Sequence, residues 1–349
     1  MSASAAMSEV ETDMRLKIFA LAGIVAAAAA APTSAEEPAT YDGPVIDMHL
    51  HAYTADGNGP PGTPLCPELS EFAWDGQGSW IEHFGAKVLS RPCLKPIAGS
   101  LTDEALRDET ITEMRRLKVR GLLGGSEERV ADWMQAAPDL FWPARHLNPQ
   151  RDPETTPESL AADFAAGEIV AIAEITGQYS GIMVDDPRME PFWSMAEREG
   201  IPVGVHIGLG PPGAVHMYPS FRAQSPSHLA EVLGKHPKLR VFVMHGGYPY
   251  IDDLKALLWV HPDLMIDIAV LQFALPRAEF HAFLAELVRA GFGDRIMFGS
   301  DQMNWPGAIG LGIEAVNEAD YLTYDQKKAI LHDNAARFLR LDADGKLPD

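Results

Sequence analysis

Residues 169–207 read IVAIAEITGQYSGIMVDDPRMEPFWSMAEREGIPVGVHI. Two short runs of β-branched and apolar residues, Ile169–Ile175 and Pro202–Ile207, flank the stretch Pro191–Glu199, which is apolar at about every third or fourth position. That order is typical of a β-strand, a crossover helix and a second, parallel β-strand. The segment therefore predicts a βαβ unit.

The same alternation extends along most of the chain. The predicted strands are Val45–Leu50, Val119–Leu123, Leu140–His146, Ile169–Ile175, Pro202–Ile207, Arg240–His245, Leu264–Ala269 and Arg295–Gly299. The predicted helices include Leu106–Lys118, Arg129–Ala137, Pro191–Glu199, Ser227–His236, Asp252–Val260 and Ala278–Ala290. Eight parallel strands with helices between them can close into a barrel, so we predict an α/β fold, a (β/α)8 TIM barrel. A doubly wound open sheet is the alternative.

The segment Tyr53–Ser100 interrupts this repeat directly after the first strand. It is rich in Gly and Pro, and it contains both cysteines of the chain, Cys66 and Cys93. In an oxidising compartment such a pair tends to form a disulfide, with two buried thiols as the alternative. Barrel active sites lie at the carboxyl ends of the strands, so the insertion 53–100 is either a lid over the site or a stapled surface loop. Its candidate lid residues are Phe72, Trp74 and Trp80.

The first 35 residues differ from the rest of the chain. Arg15 and Lys17 precede the apolar run Ile18–Ala31, and small residues follow it. The run is shorter than the about 20 residues that a membrane-spanning helix needs, so residues 1–35 are predicted to be a secretory signal peptide rather than a retained anchor. Residues 36–349 then form a single barrel domain, exported to the periplasm or the outside of the cell, with no stable membrane insertion.

The charge balance limits the partners. Lys and Arg total 28 against 49 Asp and Glu, which gives a formal net charge of −21 at pH 7. Such a surface repels the phosphates of nucleic acids and anionic lipid headgroups. We therefore expect a small-molecule substrate and no nucleic-acid partner, and the sequence leaves a homo-oligomer open.

Polar side chains end several of the predicted strands. His49 and His51 lie two residues apart on the first strand, so their side chains point to the same face. The other strand-end residues are Glu174, His206, His245 and Asp301. Each one alone is compatible with a hydrogen-bonded core residue or a helix cap, but together they would be a costly desolvated set unless a cation organised them. We therefore predict a divalent metal site. Zn²⁺ is favoured by the nitrogen ligands, and iron, manganese and cobalt remain alternatives.

Four motifs resemble the amidohydrolase superfamily, particularly its amidohydrolase-related branch (amidohydrolase 2), which includes decarboxylases. They are Val45-Ile46-Asp47-Met48-His49-Leu50-His51, His206, His245-Gly246-Gly247 and Phe298-Gly299-Ser300-Asp301. The resemblance runs from about Pro44 to Leu341 and includes Ile330–Leu339, which is similar to the family's closing helix.

The resemblance also implies roles for these residues. It implies that His49, His51 and Asp301 bind the metal, that His206 is a further ligand, and that His245 contacts the attacking water or the substrate. A strand-four carboxylate bridges two metals in some related enzymes. Glu174 is therefore a candidate ligand of a second metal, although a single essential metal is the favoured expectation.

The chemistry of this set favours hydrolysis. A divalent ion lowers the pKa of a bound water towards about 7, and a carboxylate such as Asp301 can take the proton of that water. His245, when protonated, can stabilise a developing oxyanion. We therefore expect a hydrolase of amide, ester or lactone bonds. The alternatives are a non-oxidative decarboxylase or hydratase acting on a carboxylated (aromatic or muconate-like) substrate, and a barrel that only binds a ligand.

Several residues in the loops after the strands are candidates to face the substrate, and Arg222 would suit a carboxylate substrate. These candidates are Tyr179, His216, Tyr218, Arg222, Tyr248, Gln302 and Trp305.

Overall fold

A computed structural model describes residues 40–69, 74–89, 91–208, 210–216 and 224–347. The predicted signal peptide, Phe72, Tyr218 and Arg222 lie outside the described residues. The chain from Pro38 to Asp349 forms one compact unit. Among the described helices, none is long and apolar enough to cross a membrane.

Eight parallel strands form one sheet in chain order, β1 to β8, and confirm the predicted TIM barrel. Their bounds are β1 Val45–Ala52, β2 Val119–Gly125, β3 Phe141–Leu147, β4 Ala171–Ile175, β5 Val203–His206, β6 Val241–Met244, β7 Met265–Asp267 and β8 Ile296–Met297. Two backbone bonds join β1 to the segment that follows β8: Met48 N donates to Phe298 O at 2.9 Å, and Asp301 N donates to His49 O at 2.9 Å.

Helices connect the strands, and each predicted helix corresponds to an observed one. The α-helices are α1 Trp80–Phe84, α2 Asp103–Leu117, α3 Glu127–Ala136, α4 Pro157–Ala165, α5 Glu190–Glu199, α6 Leu229–Lys235, α7 Ile251–Val260, α8 Leu271–Ala274, α9 Arg277–Arg289, α10 Gly307–Asn317, α11 Tyr324–Lys328 and α12 Asn334–Leu339. Turns of π-helix cover Gly85–Leu89 and Ala329–Asp333, and turns of 3₁₀-helix cover Gly177–Ser180, Ala214–His216, Pro226–His228, His245–Gly247 and Gly293–Arg295.

Two apolar layers hold the barrel together. The larger one packs the outward side chains of the strands, such as Leu123 and Val243, against the helices. The smaller one fills the barrel interior with side chains such as Met48 and Phe242, and it is covered by Phe338 of α12. The barrel is therefore a packed core, with room for chemistry only at its ends.

Irregular pairing in β1 and β4 allows these strands to serve both the core and the carboxyl-end face. In β1, the residues from Asp47 to Leu50 pair with a segment of β2 that is one residue shorter. A similar shift occurs in β4 between Ile172 and Ile175. A bulge inserts one extra residue and re-aims the side chains that follow. As a result Met48 and Ala173 pack in the interior, while the residues directly after them, His49 and Glu174, join the polar cluster at the strand ends.

The insertion 53–100 has its own small core. Leu65 and Ile97 pair as an antiparallel bridge, and Cys66 and Cys93 form a disulfide with Cα atoms 6.0 Å apart. Its apolar cluster includes Trp80, and it packs against Phe273 and Trp305 of the barrel loops. The insertion is thus anchored to the loops that follow β7 and β8.

Candidate metal centre

The barrel brings all six predicted strand-end residues together. None of them exposes more than 6% of its surface. They are His49, His51, Glu174, His206, His245 and Asp301. Three overlapping groups of His, Asp and Glu place their ligand atoms within 4.8 Å of one another. The site therefore has His, Glu and Asp residues positioned to bind a metal ion.

One half of the cluster is formed by β1 and the end of β8. The Nε2 atoms of His49 and His51 lie 3.2 Å apart. Asp301 Oδ1 lies 2.9 Å from His51 Nε2 and 4.0 Å from His49 Nε2. Three ligand atoms therefore converge on one small volume.

The other half is formed by β4, β5 and β6. His206 Nδ1 contacts Glu174 Oε1 and lies 3.0 Å from His245 Nε2. Glu174 Oε1 lies 3.6 Å from His245 Nε2. The Tyr179 hydroxyl lies 2.6 Å from His206 Nε2, so this sequence-predicted candidate does reach the site. The two halves meet where the rings of His49 and His245 lie 5.0 Å apart.

The end of β7 supports both halves. Asp267 Oδ2 accepts a hydrogen bond from His49 Nδ1 at 3.1 Å. Asp267 Oδ1 accepts from the backbone N of His245 at 2.8 Å and of Ala269 at 3.0 Å. The carbonyl oxygen of Ala269 lies 3.1 Å from His245 Nδ1 and accepts its hydrogen. The Nδ1 atom of His49 is therefore hydrogen-bonded to the last residue of β7, and that of His245 to the loop just after it, which leaves both Nε2 atoms directed into the site.

Side chains also fix β1 against the end of β8. Asp47 Oδ1 accepts from the backbone N of His49 at 3.0 Å and of Ser300 at 2.9 Å. Burial raises the pKa of Asp47 to about 7. Gln302 accepts from the backbone N of His51 at 3.0 Å and donates to the backbone O of His51 at 2.7 Å, as a neighbouring strand would. The backbone carrying His49 and His51 is thus held on both sides.

The backbone turns sharply at two of the clustered residues. His245 has φ 58° and Asp301 has φ 52°, in the left-handed region that non-glycine residues rarely adopt. His245 follows directly after β6, whereas Asp301 lies four residues beyond the end of β8. Such conformations persist only where the surrounding bonds enforce them, and they are concentrated at functional sites.

Both carboxylates of the cluster are ionised. Burial opposes ionisation of Asp301, but His49, His51 and His245 together lower its pKa to about 2. Burial likewise opposes ionisation of Glu174, yet its contacts with His206 and His245 hold the pKa of Glu174 well below its usual value. The cluster therefore contains two carboxylate anions beside its imidazoles.

The pKa values of His49 and His206 are shifted in opposite directions. Burial would lower the pKa of His49, but the carboxylates of Asp301 and Asp267 raise it to about 10. Burial lowers the pKa of His206 despite its contact with Glu174. His49 thus belongs to the most negative part of the cluster, where a cation would be most favoured.

The donor set fits a divalent ion. Asp301 Oδ1 is buried and, among the described residues, accepts no hydrogen bond of acceptable geometry, although it lies close to two imidazole nitrogens. Buried polar atoms without partners are rare, and a bound cation satisfies such an atom. Imidazole nitrogen with carboxylate oxygen is a ligand set used by Zn²⁺ and by other first-row metals.

The remaining substrate-facing candidates are not all brought to the site. Gln302 and Trp305 are buried, and both bond to backbone: Gln302 to His51 and Trp305 Nε1 to Thr63 O at 2.8 Å. The Tyr248 hydroxyl donates to Glu279 Oε1 at 3.2 Å. His216 is exposed and contacts the edge of Trp74.

Two residues near the cluster, Asp267 and His146, were not predicted from the sequence. Asp267 lies within the apolar run Leu264–Ala269, and a single carboxylate in an otherwise apolar strand was the signal that could have identified it. The ring of His146, on β3, lies 5.1 Å from that of His51, and burial together with His51 lowers the pKa of His146 to about 3. A histidine near a strand end, like His206, was the signal for His146.

Comparison with protein families agrees with this geometry. The sequence profile of the family described as Amidohydrolase matches residues 46–341, which include every residue of the cluster. The chain therefore belongs to the amidohydrolase-2 family. A search of curated proteins gave no match.

Solved structures with the same fold include three of interest. An uncharacterised TIM-barrel protein from Bordetella bronchiseptica is 23% identical over 66% of this chain and 81% of that chain, with a TM-score of 0.55. A probable 2-pyrone-4,6-dicarboxylic acid hydrolase from Acinetobacter baumannii is 15% identical over 84% and 98%, with a TM-score of 0.54. A 5-carboxyvanillate decarboxylase from Novosphingobium aromaticivorans with bound manganese is 14% identical over 85% and 97%, with a TM-score of 0.55. At these identities the likeness establishes the fold.

Proposed function

We propose that this protein is a metal-dependent hydrolase that cleaves an amide, ester or lactone bond of a small molecule. The observation that carries the proposal is the position of Asp301, an ionised carboxylate whose Oδ1 faces the Nε2 atoms of His49 and His51. Such a carboxylate can both bind a metal and accept a proton from water.

The cluster supplies the ligands in two groups. His49, His51 and Asp301 would hold the essential ion, and His206 and Glu174 would complete the set or hold a second ion. We propose Zn²⁺ as the metal because imidazoles dominate the donor set. The manganese in the Novosphingobium decarboxylase makes Mn²⁺ the leading alternative. A bound divalent ion would lower the pKa of a water molecule and polarise the substrate carbonyl.

The protein side chains then move the protons. Asp301 would take a proton from the attacking water, because its carboxylate is ionised. His245 directs its Nε2 into the site, since its Nδ1 is bonded to Ala269 O. Protonated at Nε2, it donates to the oxygen on which negative charge develops.

Decarboxylation is the second candidate. The Novosphingobium neighbour is described as a decarboxylase and covers 85% of this chain, whereas the Acinetobacter neighbour is described as a probable hydrolase. A carboxylated substrate would require a cation to bind it, and Arg222, outside the described residues, is the candidate from the sequence.

Isotope labelling separates the two reactions. The metal-loaded protein is incubated in H₂¹⁸O and, separately, in D₂O with a panel of esters, lactones, amides and aromatic carboxylic acids. A hydrolase introduces ¹⁸O into the acid product. A decarboxylase releases CO₂ and leaves deuterium on the product carbon. Turnover with CO₂ release and no ¹⁸O in the remaining product would overturn the proposed hydrolase, and His49→Ala serves as the inactive control.

We also propose that the protein is exported after removal of residues 1–35. The basic and apolar pattern of Arg15, Lys17 and Ile18–Ala31 supports export, as does the Cys66–Cys93 disulfide, because such bonds persist in oxidising compartments. N-terminal sequencing of protein recovered from outside the cytoplasm should begin near Glu36. Recovery of the intact chain from the cytoplasm alone would contradict the proposal.

A further inference from the structure

Asp267, at the end of β7, is fully buried and uses both of its carboxylate oxygens. Oδ2 accepts from the imidazole of His49 at 3.1 Å, and Oδ1 accepts from the backbone N of His245 and of Ala269. This carboxylate therefore joins two strands of the cluster, β1 through a side chain and β6 through the backbone.

We infer that Asp267 is a positioning residue that orients His49 for metal binding and holds the backbone of His245 in place. Asp301 does not take this role, because its Oδ1 lies on the other side of the His49 ring, 4.0 Å from Nε2. The inference rests on the proposed function, since it assumes that His49 binds a metal.

The geometry explains why the His49 ring needs a partner at Nδ1. With its Nδ1–H donated to Asp267, a neutral His49 has its lone pair on Nε2, the atom that faces His51 Nε2 at 3.2 Å. The same bond stops the ring from rotating and presenting carbon atoms to the metal. Acceptors behind metal-bound imidazoles typically contribute 10–100-fold to metal affinity.

The chain offers a matched control in Asp47. Asp47 is equally buried and also braces backbone near the site, but it uses Oδ1 alone, for the N–H groups of His49 and Ser300. Its Oδ2 accepts no hydrogen bond in the described part of the chain. An asparagine keeps one acceptor oxygen, so Asp47→Asn can retain both bonds. Asp267→Asn cannot retain all of its bonds, because the NH₂ group of the asparagine is a donor. It would face either the N–H of His49 or the two backbone N–H groups, which are also donors.

The experiment measures the Kd for Zn²⁺ by competition with a chromophoric chelator. We expect Asp267→Asn to bind Zn²⁺ about 10–100-fold more weakly than the wild type. Asp47→Asn should stay within about threefold. Equal affinities for Asp267→Asn and the wild type, with His49→Ala weakened, would overturn the positioning role alone. Wild-type affinity in His49→Ala would instead overturn the proposed metal site and this inference with it.

A second measurement covers the case in which Asp267→Asn does not fold. In the metal-loaded wild type, NMR of ¹⁵N-histidine-labelled protein should show an Nδ1–H proton that exchanges slowly with water and that disappears in His49→Ala. A folded His49→Ala protein with an unchanged set of slowly exchanging imidazole protons would overturn the inference.

Discussion

The strand ends and the insertion 53–100 are neighbours in the molecule, but they are stabilised in different ways. At the strand ends, hydrogen bonds hold buried polar residues in place: the side chain of His49 bonds to Asp267, and the backbone N of Asp301 donates to the backbone O of His49. The insertion is held by a disulfide and by apolar packing of Trp80 against the barrel loops. The first region is fixed by the barrel itself, and the second is attached to it.

Because the two regions are stabilised differently, substitutions can affect activity and folding stability separately. Changes to the polar cluster should remove activity from a folded barrel, because the apolar layers that stabilise the barrel lie elsewhere. Changes to the attachments of the insertion should lower stability and leave the metal site intact. Substitutions in each region test that separation.

The largest effect is expected at the ligands. Asp301→Asn should lower kcat by about 10²–10⁴-fold because it removes the proton acceptor. His49→Ala should abolish turnover because it removes a ligand on which metal binding depends. Circular dichroism should show a folded barrel in both variants. A variant with full metal content and full activity would contradict the assignment of the site.

The disulfide should contribute to stability alone. The double change Cys66→Ser and Cys93→Ser opens a loop with a sequence separation of 27 residues. In the chain-entropy account this lowers the free energy of unfolding by about 3–4 kcal/mol. Denaturant titration measures the loss, and metal content should equal that of the wild type. Loss of metal in the folded double variant would show that the insertion shapes the cluster.

Gln302 lies on the boundary between the two regions. Gln302→Ala removes the bonds to the backbone N–H and C=O of His51, which are buried. Each group left without a partner costs about 1–3 kcal/mol. Urea unfolding should therefore detect destabilisation. Equal stability of Gln302→Ala and the wild type would mean that water replaces the side chain.

The smallest effect is expected at Gly213, where the loop after β5 meets the insertion. Gly213 has φ +81°, and an added Cβ would lie 2.5 Å from Trp80 Nε1. Gly213→Ala should therefore lower the free energy of unfolding by about 1–2 kcal/mol. Trp80→Phe in the same background should recover part of the loss, because it removes the atom that clashes. If the losses of unfolding free energy from the two single substitutions simply add in the double variant, the contact with Trp80 is not the cause of the destabilisation by Gly213→Ala.

Much of the barrel could be predicted because its signals are local. The period of apolar residues places each strand and helix, and parallel strands carry their end residues to one face, so the cluster of His49, His206 and Asp301 followed from strand positions. The support from Asp267 could not be predicted in this way. Its bond to His49 joins residues 218 positions apart, and neither residue's local pattern specifies that pairing.

The contacts made by the loop residues were equally hard to predict. Gln302 and Trp305 follow a strand end, where substrate contacts are expected, yet they bond to the backbone of His51 and Thr63. The bulges in β1 and β4 likewise depend on pairing with neighbouring strands. Contacts of this kind depend on the folded insertion and barrel, not on the spacing of residues along one element.

The number of metal ions bound per chain is the most direct test of whether the strand-end cluster is a divalent metal site. The wild type, His49→Ala and Glu174→Ala are purified without added metal and analysed for elements alongside activity. The account predicts a stoichiometric divalent metal in the wild type and its loss in His49→Ala. About one ion retained in Glu174→Ala would support a single-metal centre if the wild type also holds about one, and a two-metal centre if the wild type holds about two. A fully active wild-type enzyme that contains no metal would contradict the account.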